Sequence, residues 1–275
     1  MSILFSIISM FSALIFIIQV EYNLYRTCTK EEVHMRICVF DTAQQACKAA
    51  AAMIASQVIR KPNSVLGLAT GSSPIPAYQE LIRLYREGIL DFSETITYNL
   101  DEYVGLSEQH PCSYHYFMQE QLFDHINIRK EHTHVPDGHA EHLDETARAY
   151  DEAICAAGGI DMQLLGIGRN GHIGFNEPGS QFIYGCHVVN LSQSTIEANT
   201  RFFDSEKDVP RQAISLGIGS IMQAKTILLI ATGKDKAQAV HDSILGDVTP
   251  QVQASILRTH PEAIFFLDRD AASLL

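Results

Sequence analysis

Two segments of the sequence place a carboxylate or a histidine where acid–base chemistry could occur. Asp101 and Glu102 follow an apolar run, and His172 precedes Glu177 in a glycine-rich segment. A carboxylate that is partly removed from water has a raised pKa and can act as a general base. A histidine that is oriented by a carboxylate can move protons near neutral pH. Structural roles stay open at this point, a turn or helix cap for Asp101 and a plain hydrogen bond for His172.

Two other segments offer groups that bind phosphate. Gly71, Ser72 and Ser73 lie between an apolar run and a proline that suits the start of a helix. Small residues let the backbone approach an anion, and the amides at a helix N-terminus favour phosphate. An ordinary strand-to-helix turn has the same composition, so this pattern alone leaves both interpretations open. Arg201 and Lys236 could supply cations, although either one alone is compatible with a solvated surface charge.

Two further patterns resemble cofactor or metal sites, but their context does not fit. Residues 166–171 satisfy G-x-G-x-x-G, yet the glycine and proline that follow keep the segment irregular where a dinucleotide fold needs a helix. Four histidines lie close together, but no set of cysteines or carboxylates completes a metal site around them. These histidines are His132, His134, His139 and His142. We therefore expect neither a metal nor a cofactor.

The elements that must position these groups alternate between strands and helices. The predicted strands are 36–40, 65–69, 95–100, 160–165, 225–231 and 263–267. The predicted helices are 41–60 with Asp41 as its cap, a helix from Pro74 to 87, 113–125, 142–157, one after Gly233, and 252–257. This alternation predicts an α/β fold with an open, mostly parallel sheet and helices on both faces. Ligands of such sheets bind beyond the carboxyl ends of the strands, where the candidate residues lie.

Composition narrows the class of protein. The chain has 275 residues, of which 46% are apolar, and 32 acidic against 20 basic side chains give a net charge of -12. This balance argues against non-specific binding to nucleic acid or to an anionic membrane. Six cysteines without a C-x-x-C pair indicate reduced thiols. We expect a cytoplasmic protein whose residues 35–275 form a single catalytic domain.

The first 34 residues need a separate interpretation. Residues 3–20 are almost wholly apolar, which is long enough for a short membrane helix. No basic residue precedes the run, so it is atypical of a signal peptide. Met35 opens a strand-like segment, and translation could start there. We favour 1–34 lying outside the functional domain, with a membrane anchor or an extra packed helix as the alternatives.

Several stretches, in this order, resemble the glucosamine-6-phosphate deaminase family. They are LGLATGSSP (66–74), NLDEYVGL (99–106), SYHYF (113–117), GIGRNGHIGFNEPGS (166–180) and NTRFF (199–203). The resemblance covers essentially all of 35–275 and none of 1–34. It implies a sheet of modified Rossmann type and a cofactor-independent conversion of glucosamine 6-phosphate and water to fructose 6-phosphate and ammonia, in amino-sugar breakdown.

The resemblance also implies roles for individual residues. Asp101 matches the proton acceptor of enolisation, and His172 matches the group that moves a proton during ring opening, with Glu177 orienting it. Asn170 stands where some members carry an aspartate, so we expect it to orient the ring-opening group without adding charge. The positions that match the phosphate ligands of the family are Gly71, Ser72, Ser73, Arg201 and Lys236.

The loop 182–189 departs from the hexameric members that N-acetylglucosamine 6-phosphate activates. His187 and Val189 occupy places where those members carry basic residues. We therefore expect no such activation, and a monomer or small homo-oligomer that binds a small sugar phosphate. One alternative is another enzyme of the same fold, such as a 6-phosphogluconolactonase, which has no need of a C2 base. A second is a non-catalytic sugar-phosphate sensor, which would normally carry a DNA-binding domain.

Overall fold

A parallel seven-stranded sheet forms the centre of the computed structural model, which describes residues 35–275. The strands are β1 (Arg36–Phe40), β2 (Val65–Leu68), β3 (Ile96–Asn99), β4 (Asp101–Tyr103), β5 (Thr133–His134), β6 (Met162–Leu165), β7 (His187–Asn190), β8 (Gln212–Ser215), β9 (Thr226–Ala231) and β10 (Ala263–Asp268). The order in the large sheet is β1-β10-β9-β6-β2-β3-β5. Our interpretation of residues 1–34 falls outside the described residues.

Helices of mixed length connect the strands and flank the sheet. They are α1 (Ala43–Arg60), α2 (Ile75–Arg86), α3 (Tyr114–Gln121), α4 (Leu143–Ala156), α5 (Gln193–Asn199), α6 (Ile218–Met222) and α7 (Ala237–Leu245). Shorter 3-10 turns include Phe123–His125, Thr200–Phe202, Lys234–Lys236 and Gln253–Thr259. The predicted α/β fold with a mostly parallel sheet is therefore confirmed. Within residues 35–275, no helix combines the length and the apolar character that crossing a membrane requires.

Several predicted boundaries were wrong by a few residues. Thr42 rather than Asp41 caps α1, because its hydroxyl accepts from the Gln45 amide while the Gln45 side chain accepts from the Thr42 amide. Pro74 lies one residue before α2 as its N-cap. The predicted helix 113–125 divides at Leu122 into α3 and a 3-10 turn. The predicted helix 252–257 is instead the 3-10 segment Gln253–Thr259.

A second, three-stranded sheet was not foreseen. It has the order β4-β8-β7 with antiparallel pairs, and it packs around its own apolar cluster, which includes Tyr103 and Phe175. Leu100 joins the two sheets, since its amide donates to the Leu68 carbonyl and its carbonyl accepts from the Leu216 amide. The predicted strand 95–100 therefore ends as β3 at Asn99, the chain passes to the second sheet at Leu100, and Asp101 begins β4.

A buried carboxylate joins the amino ends of the central strands of the large sheet, a region called here the amino edge. Asp161 precedes β6 and its side chain is only 4% exposed. It accepts from Lys61 Nζ at 2.6 Å, from Lys225 Nζ at 2.7 Å and from the Val65 amide at 2.9 Å. These contacts tie the ends of β2 and β6 to the lysines that flank them.

Candidate active site

A cavity of about 910 Å³ opens at the carboxyl ends of the central strands. Its volume falls in the range of small-molecule sites. The predicted site residues that line it are Gly71, Ser72, Ser73, Asp101, Asn170, His172, Arg201 and Lys236. Glu177 is not part of the lining, and it lies behind His172. The structure thus brings all the predicted residues to one place, as the parallel sheet requires.

Asp101 is buried at the start of β4, with 6% of the residue exposed. Within residues 35–275 its carboxylate has no hydrogen-bond donor and no cationic partner. Burial, and secondarily the charge of Glu102, raises the pKa of Asp101 to about 8. Once ionised, such a carboxylate is a much stronger base than an exposed aspartate.

Gly174 keeps the space beside this carboxylate open. Its φ of +55° lies in the left-handed region, and a Cβ there would lie 3.5 Å from Asp101 Oδ2 and 3.0 Å from Ser215 Oγ. A larger residue would therefore be strained by its backbone conformation and by Ser215 Oγ, and it would fill the space next to the base.

Glu102 faces away from Asp101, as expected for neighbours on a strand. Its carboxylate accepts from the amides of Tyr103 at 2.8 Å, Tyr114 at 2.8 Å and His115 at 3.0 Å, and so caps the start of α3. This fixes Tyr114, which lines the cavity. Neither the cap nor the wall position of Tyr114 was anticipated, because nothing local in the sequence links the strand to a helix so far along the chain.

His172 packs against the backbone of Gly168. A Cβ at position 168 would lie 2.4 Å from the imidazole ring, so only glycine leaves room for it. His172 Nδ1 lies 3.5 Å from Glu177 Oε2, and it makes no hydrogen bond to any of the described residues. The structure thus places the two side chains next to each other, and the orienting role of Glu177 stays a prediction.

Glu177 is held in place by two neutral donors. Asn170 Nδ2 donates to Glu177 Oε2 at 2.9 Å, and the Thr195 hydroxyl donates to Glu177 Oε1. Burial acts to raise the pKa of Glu177, but His172, Thr195 and Asn170 together lower it to about 2. Asn170 Oδ1 also accepts from the His172 amide at 3.2 Å. The Asn170 side chain thus orients the carboxylate and the loop, while Thr195 is a contact that the sequence did not reveal.

Three cations converge at the far end of the cavity. Arg201 Nη2 lies 3.5 Å from Ser72 Oγ, and Lys236 is half-buried nearby. Burial lowers the pKa of Lys236, with Asp235 opposing this shift. Arg169, which sequence reasoning passed over, pairs with Asp235 at 2.9 Å on the rim. This end of the cavity therefore offers positive charge and hydroxyl groups to an anion.

The histidines between 132 and 142 lie apart from the cavity. His132 Nδ1 is 3.2 Å from the Thr95 carbonyl, and the His134 ring stacks on Tyr98 with centroids 4.5 Å apart. Among residues 35–275, no three histidine, cysteine, aspartate or glutamate side chains are grouped so that they could hold a metal ion.

The chain is similar to known proteins in both sequence and structure. A family model described as glucosamine-6-phosphate isomerases/6-phosphogluconolactonase matches residues 40–265. A glucosamine-6-phosphate deaminase of Thermoanaerobacter pseudethanolicus is 52% identical over 241 residues, which cover 88% of this chain and 95% of that protein. The structure of a monomeric glucosamine-6-phosphate deaminase matches with a TM-score of 0.84 at 42% identity, over 88% of this chain and 99% of that one. A 6-phosphogluconolactonase from Trypanosoma cruzi matches with a TM-score of 0.72 at 19% identity, over 90% and 99%, and shares the fold alone.

Proposed function

Because the chain belongs to the glucosamine-6-phosphate isomerase/6-phosphogluconolactonase family, we propose that it is a glucosamine-6-phosphate deaminase. It converts glucosamine 6-phosphate and water to fructose 6-phosphate and ammonia. The observation that carries the assignment of roles is the placement, around one cavity, of an unpaired buried carboxylate and a separate histidine–carboxylate pair. Aldose–ketose isomerisation of a cyclic sugar needs both groups. The carboxylate removes the proton from carbon, and the histidine–carboxylate pair moves the proton that opens the sugar ring.

Ring opening is the step that we assign to His172. The imidazole takes the proton of the anomeric hydroxyl and delivers it to the ring oxygen as the C1–O5 bond breaks. Glu177 is ionised and lies 3.5 Å from His172 Nδ1. It therefore stabilises the positive charge that the imidazole carries between the two proton transfers. Asn170 holds that carboxylate through its amide, at 2.9 Å.

Enolisation is the step that we assign to Asp101. Its carboxylate removes the proton from C2 of the open-chain aldehyde while the aldehyde oxygen gains the proton that the substrate's ammonium group loses, which gives an enolamine. Asp101 then returns its proton to C1. The resulting C2 iminium is hydrolysed by water to the ketone, which releases ammonia. Burial suits Asp101 to this role, since a carboxylate with a pKa near 8 is better matched to a carbon acid than one near 4.

The phosphate end of the cavity anchors the substrate. Ser72, Ser73, Arg201 and Lys236 present hydroxyls and cations to the phosphate, and Gly71 lets the backbone approach it. Binding energy from this remote group can be used to orient the sugar at the reacting atoms. A lactonase reaction needs no base at C2, so the placement of Asp101 favours the deaminase.

We propose a monomer, because a structural relative is described as monomeric and because His187 and Val189 replace basic residues in the loop 182–189. We also propose a cytoplasmic location. It is supported by the cysteines of residues 35–275, which form no disulfide.

The test uses the full chain and glucosamine 6-phosphate, with ammonia and fructose 6-phosphate measured in parallel. We expect equal amounts of both products from the wild type and almost none from Asp101→Asn. A folded wild-type protein that released no ammonia, or that hydrolysed 6-phosphogluconolactone instead, would overturn the proposal.

A further inference from the structure

Thr195 connects two parts of the site that the mechanism treats separately. Its hydroxyl donates to Glu177 Oε1, on the opposite side of the carboxylate from Asn170 and His172. The residue is buried, at 4% exposure, and lies in the first turn of α5. The contact joins α5 to the loop that carries the ring-opening group.

The Thr195 hydroxyl is itself held in place. Ser192, the N-cap of α5, donates from Oγ to Thr195 Oγ1 at 3.1 Å, and its Oγ also accepts from the Thr195 amide. The Thr195 hydroxyl therefore already accepts one hydrogen bond and directs its own proton to Glu177. A hydroxyl fixed in this way holds an ionised carboxylate more firmly than one that can rotate freely.

The helix that carries Thr195 runs on to the phosphate end of the cavity. Helix α5 continues directly into the 3-10 turn Thr200–Phe202, which presents Arg201 to Ser72. Thr195 and Arg201 are thus on one short, continuous helical segment, roughly 9 Å apart along its axis. A shift of Arg201 onto a bound phosphate would act on Thr195 through the backbone of this segment.

We propose that Thr195 is a positioning residue that holds Glu177 for ring opening and links it to the helical segment that ends at the phosphate ligand Arg201. This inference rests on the proposed function. Without the Thr195 hydroxyl, Glu177 Oε1 loses its donor while the carboxylate stays 11% exposed, and an ionised oxygen left unpaired in such a place is costly. We then expect the Glu177 carboxylate to rotate toward water and away from His172.

The first experiment compares four full-length proteins on glucosamine 6-phosphate and on the substrate with deuterium at C2. Thr195→Val removes the hydroxyl at nearly constant volume, and Thr195→Ser restores it. Thr200→Val is the matched control, since among the described residues the Thr200 hydroxyl hydrogen-bonds to the Ile196 carbonyl of the same segment and not to Glu177. We expect Thr195→Val to lower kcat roughly tenfold with KM little changed. Thr195→Ser should recover most of that loss, and Thr200→Val should behave as the wild type.

The deuterium isotope effect identifies the step that is slowed. If Thr195 serves ring opening, the effect on kcat stays at or below the wild-type value in Thr195→Val, because the slowed step precedes cleavage of the C2–hydrogen bond. An unchanged kcat, or a lowered kcat with a larger isotope effect, would overturn the proposal. Failure of the wild type to release ammonia would instead overturn the function itself.

A double mutant tests the link to the phosphate ligand. Arg201→Gln weakens the phosphate end, and its effect on kcat at saturating substrate is compared with that of Thr195→Val and of the two combined. Linked residues give a combined loss smaller than the product of the single losses. Simple multiplication of the two losses would show that α5 does not couple them.

Discussion

Two buried aspartates, one before the amino end of a strand of the large sheet and one beyond the carboxyl end of another, show how neighbouring groups change what a buried carboxylate does. Asp161 precedes β6 at the amino edge, and Asp101 follows β3 at the carboxyl edge. They are exposed to a similar extent, 4% and 6%. Their solvent exposure therefore does not tell them apart, whereas the groups that surround them do.

The surroundings are opposite in charge. Burial acts to raise the pKa of Asp161, but hydrogen bonds from Lys225, Lys61 and the Val65 amide lower it below the ordinary value. Asp101 faces no cation among residues 35–275 and adjoins Glu102, so burial raises its pKa to about 8. The first arrangement joins strand ends and the second leaves a base facing a cavity. Parallel strands allow the two aspartates to have different roles, because ligands bind at the carboxyl ends of the strands and not at their amino ends.

The largest expected effect comes from Asp101→Asn. We expect the rate of ammonia formation to fall by about 10²–10⁴, the usual contribution of a general base. Unfolding in urea should show no loss of stability at pH 8, since the substitution removes a buried charge without a partner. A variant that unfolds more easily than the wild type at this pH would show that Asp101 also has a structural role.

Asp161→Asn should have the reverse outcome. It leaves Lys61 and Lys225 without their shared carboxylate, and we expect a loss of about 2 kcal/mol in the free energy of unfolding, reduced by the exposure of both lysines. Urea unfolding measures the loss. The value of kcat should stay close to that of the wild type, and a large drop in kcat would break the distinction between the two edges.

The pH dependence of stability should separate the two residues further. The Asp101 carboxyl ionises near 4 when unfolded but near 8 when folded, so the folded state binds more protons between these values. Its contribution therefore destabilises the protein increasingly as pH rises from about 4 to 8, by about 1 kcal/mol per unit. The lowered pKa of Asp161 has the opposite sign, with stability present above about 4 and lost as pH falls through the folded value.

Urea unfolding at pH 3 and 4 tests the sign for Asp161, and unfolding at pH 5, 6, 7 and 8 tests the sign for Asp101. Relative to the wild type, Asp101→Asn should gain stability steadily across this range. Asp161→Asn should keep a constant deficit, which shrinks only in more acidic solution. If the difference in the free energy of unfolding between the wild type and Asp101→Asn did not change with pH, the raised pKa of Asp101 would be contradicted.

The smallest expected effect is that of Lys225→Met. Lys225 is 64% exposed, so its pair with Asp161 is screened by water, and we expect a loss of only a few tenths of a kcal/mol. Arg169→Met, which breaks the exposed pair with Asp235, is a control of similar exposure for stability. A loss above about 1 kcal/mol in Lys225→Met would mean that the amino edge depends on this one lysine.

Much of the fold could be predicted because local patterns repeat along the chain. Apolar runs such as 226–231, alternating with amphipathic segments, indicated the parallel sheet and the edge at which the site lies. The short strands β7 and β8 were missed, since four residues with polar ends carry little periodic signal. The change of sheet at Leu100 depends on a contact with Leu216, far along the chain.

The residues of the candidate site could be predicted where they stand in recognisable local segments, but their tertiary contacts could not. Asp101, His172 and Glu177 stand in segments whose residue types suggest chemistry, and the structure places them around one cavity. The contact of Thr195 with Glu177 is tertiary, and a threonine in a polar helix gives no sign of it. The Arg169–Asp235 pair is likewise formed only by folding.

The most direct test of the central claim is cleavage of the C2–deuterium bond in glucosamine 6-phosphate labelled at that carbon. Nuclear magnetic resonance follows the label with the wild type, Asp161→Asn and Asp101→Asn. We predict that the first two proteins break the bond at similar rates, while Asp101→Asn binds the sugar phosphate and leaves the label in place. Loss of the label in Asp101→Asn at close to the wild-type rate would contradict the assignment of Asp101 as the base.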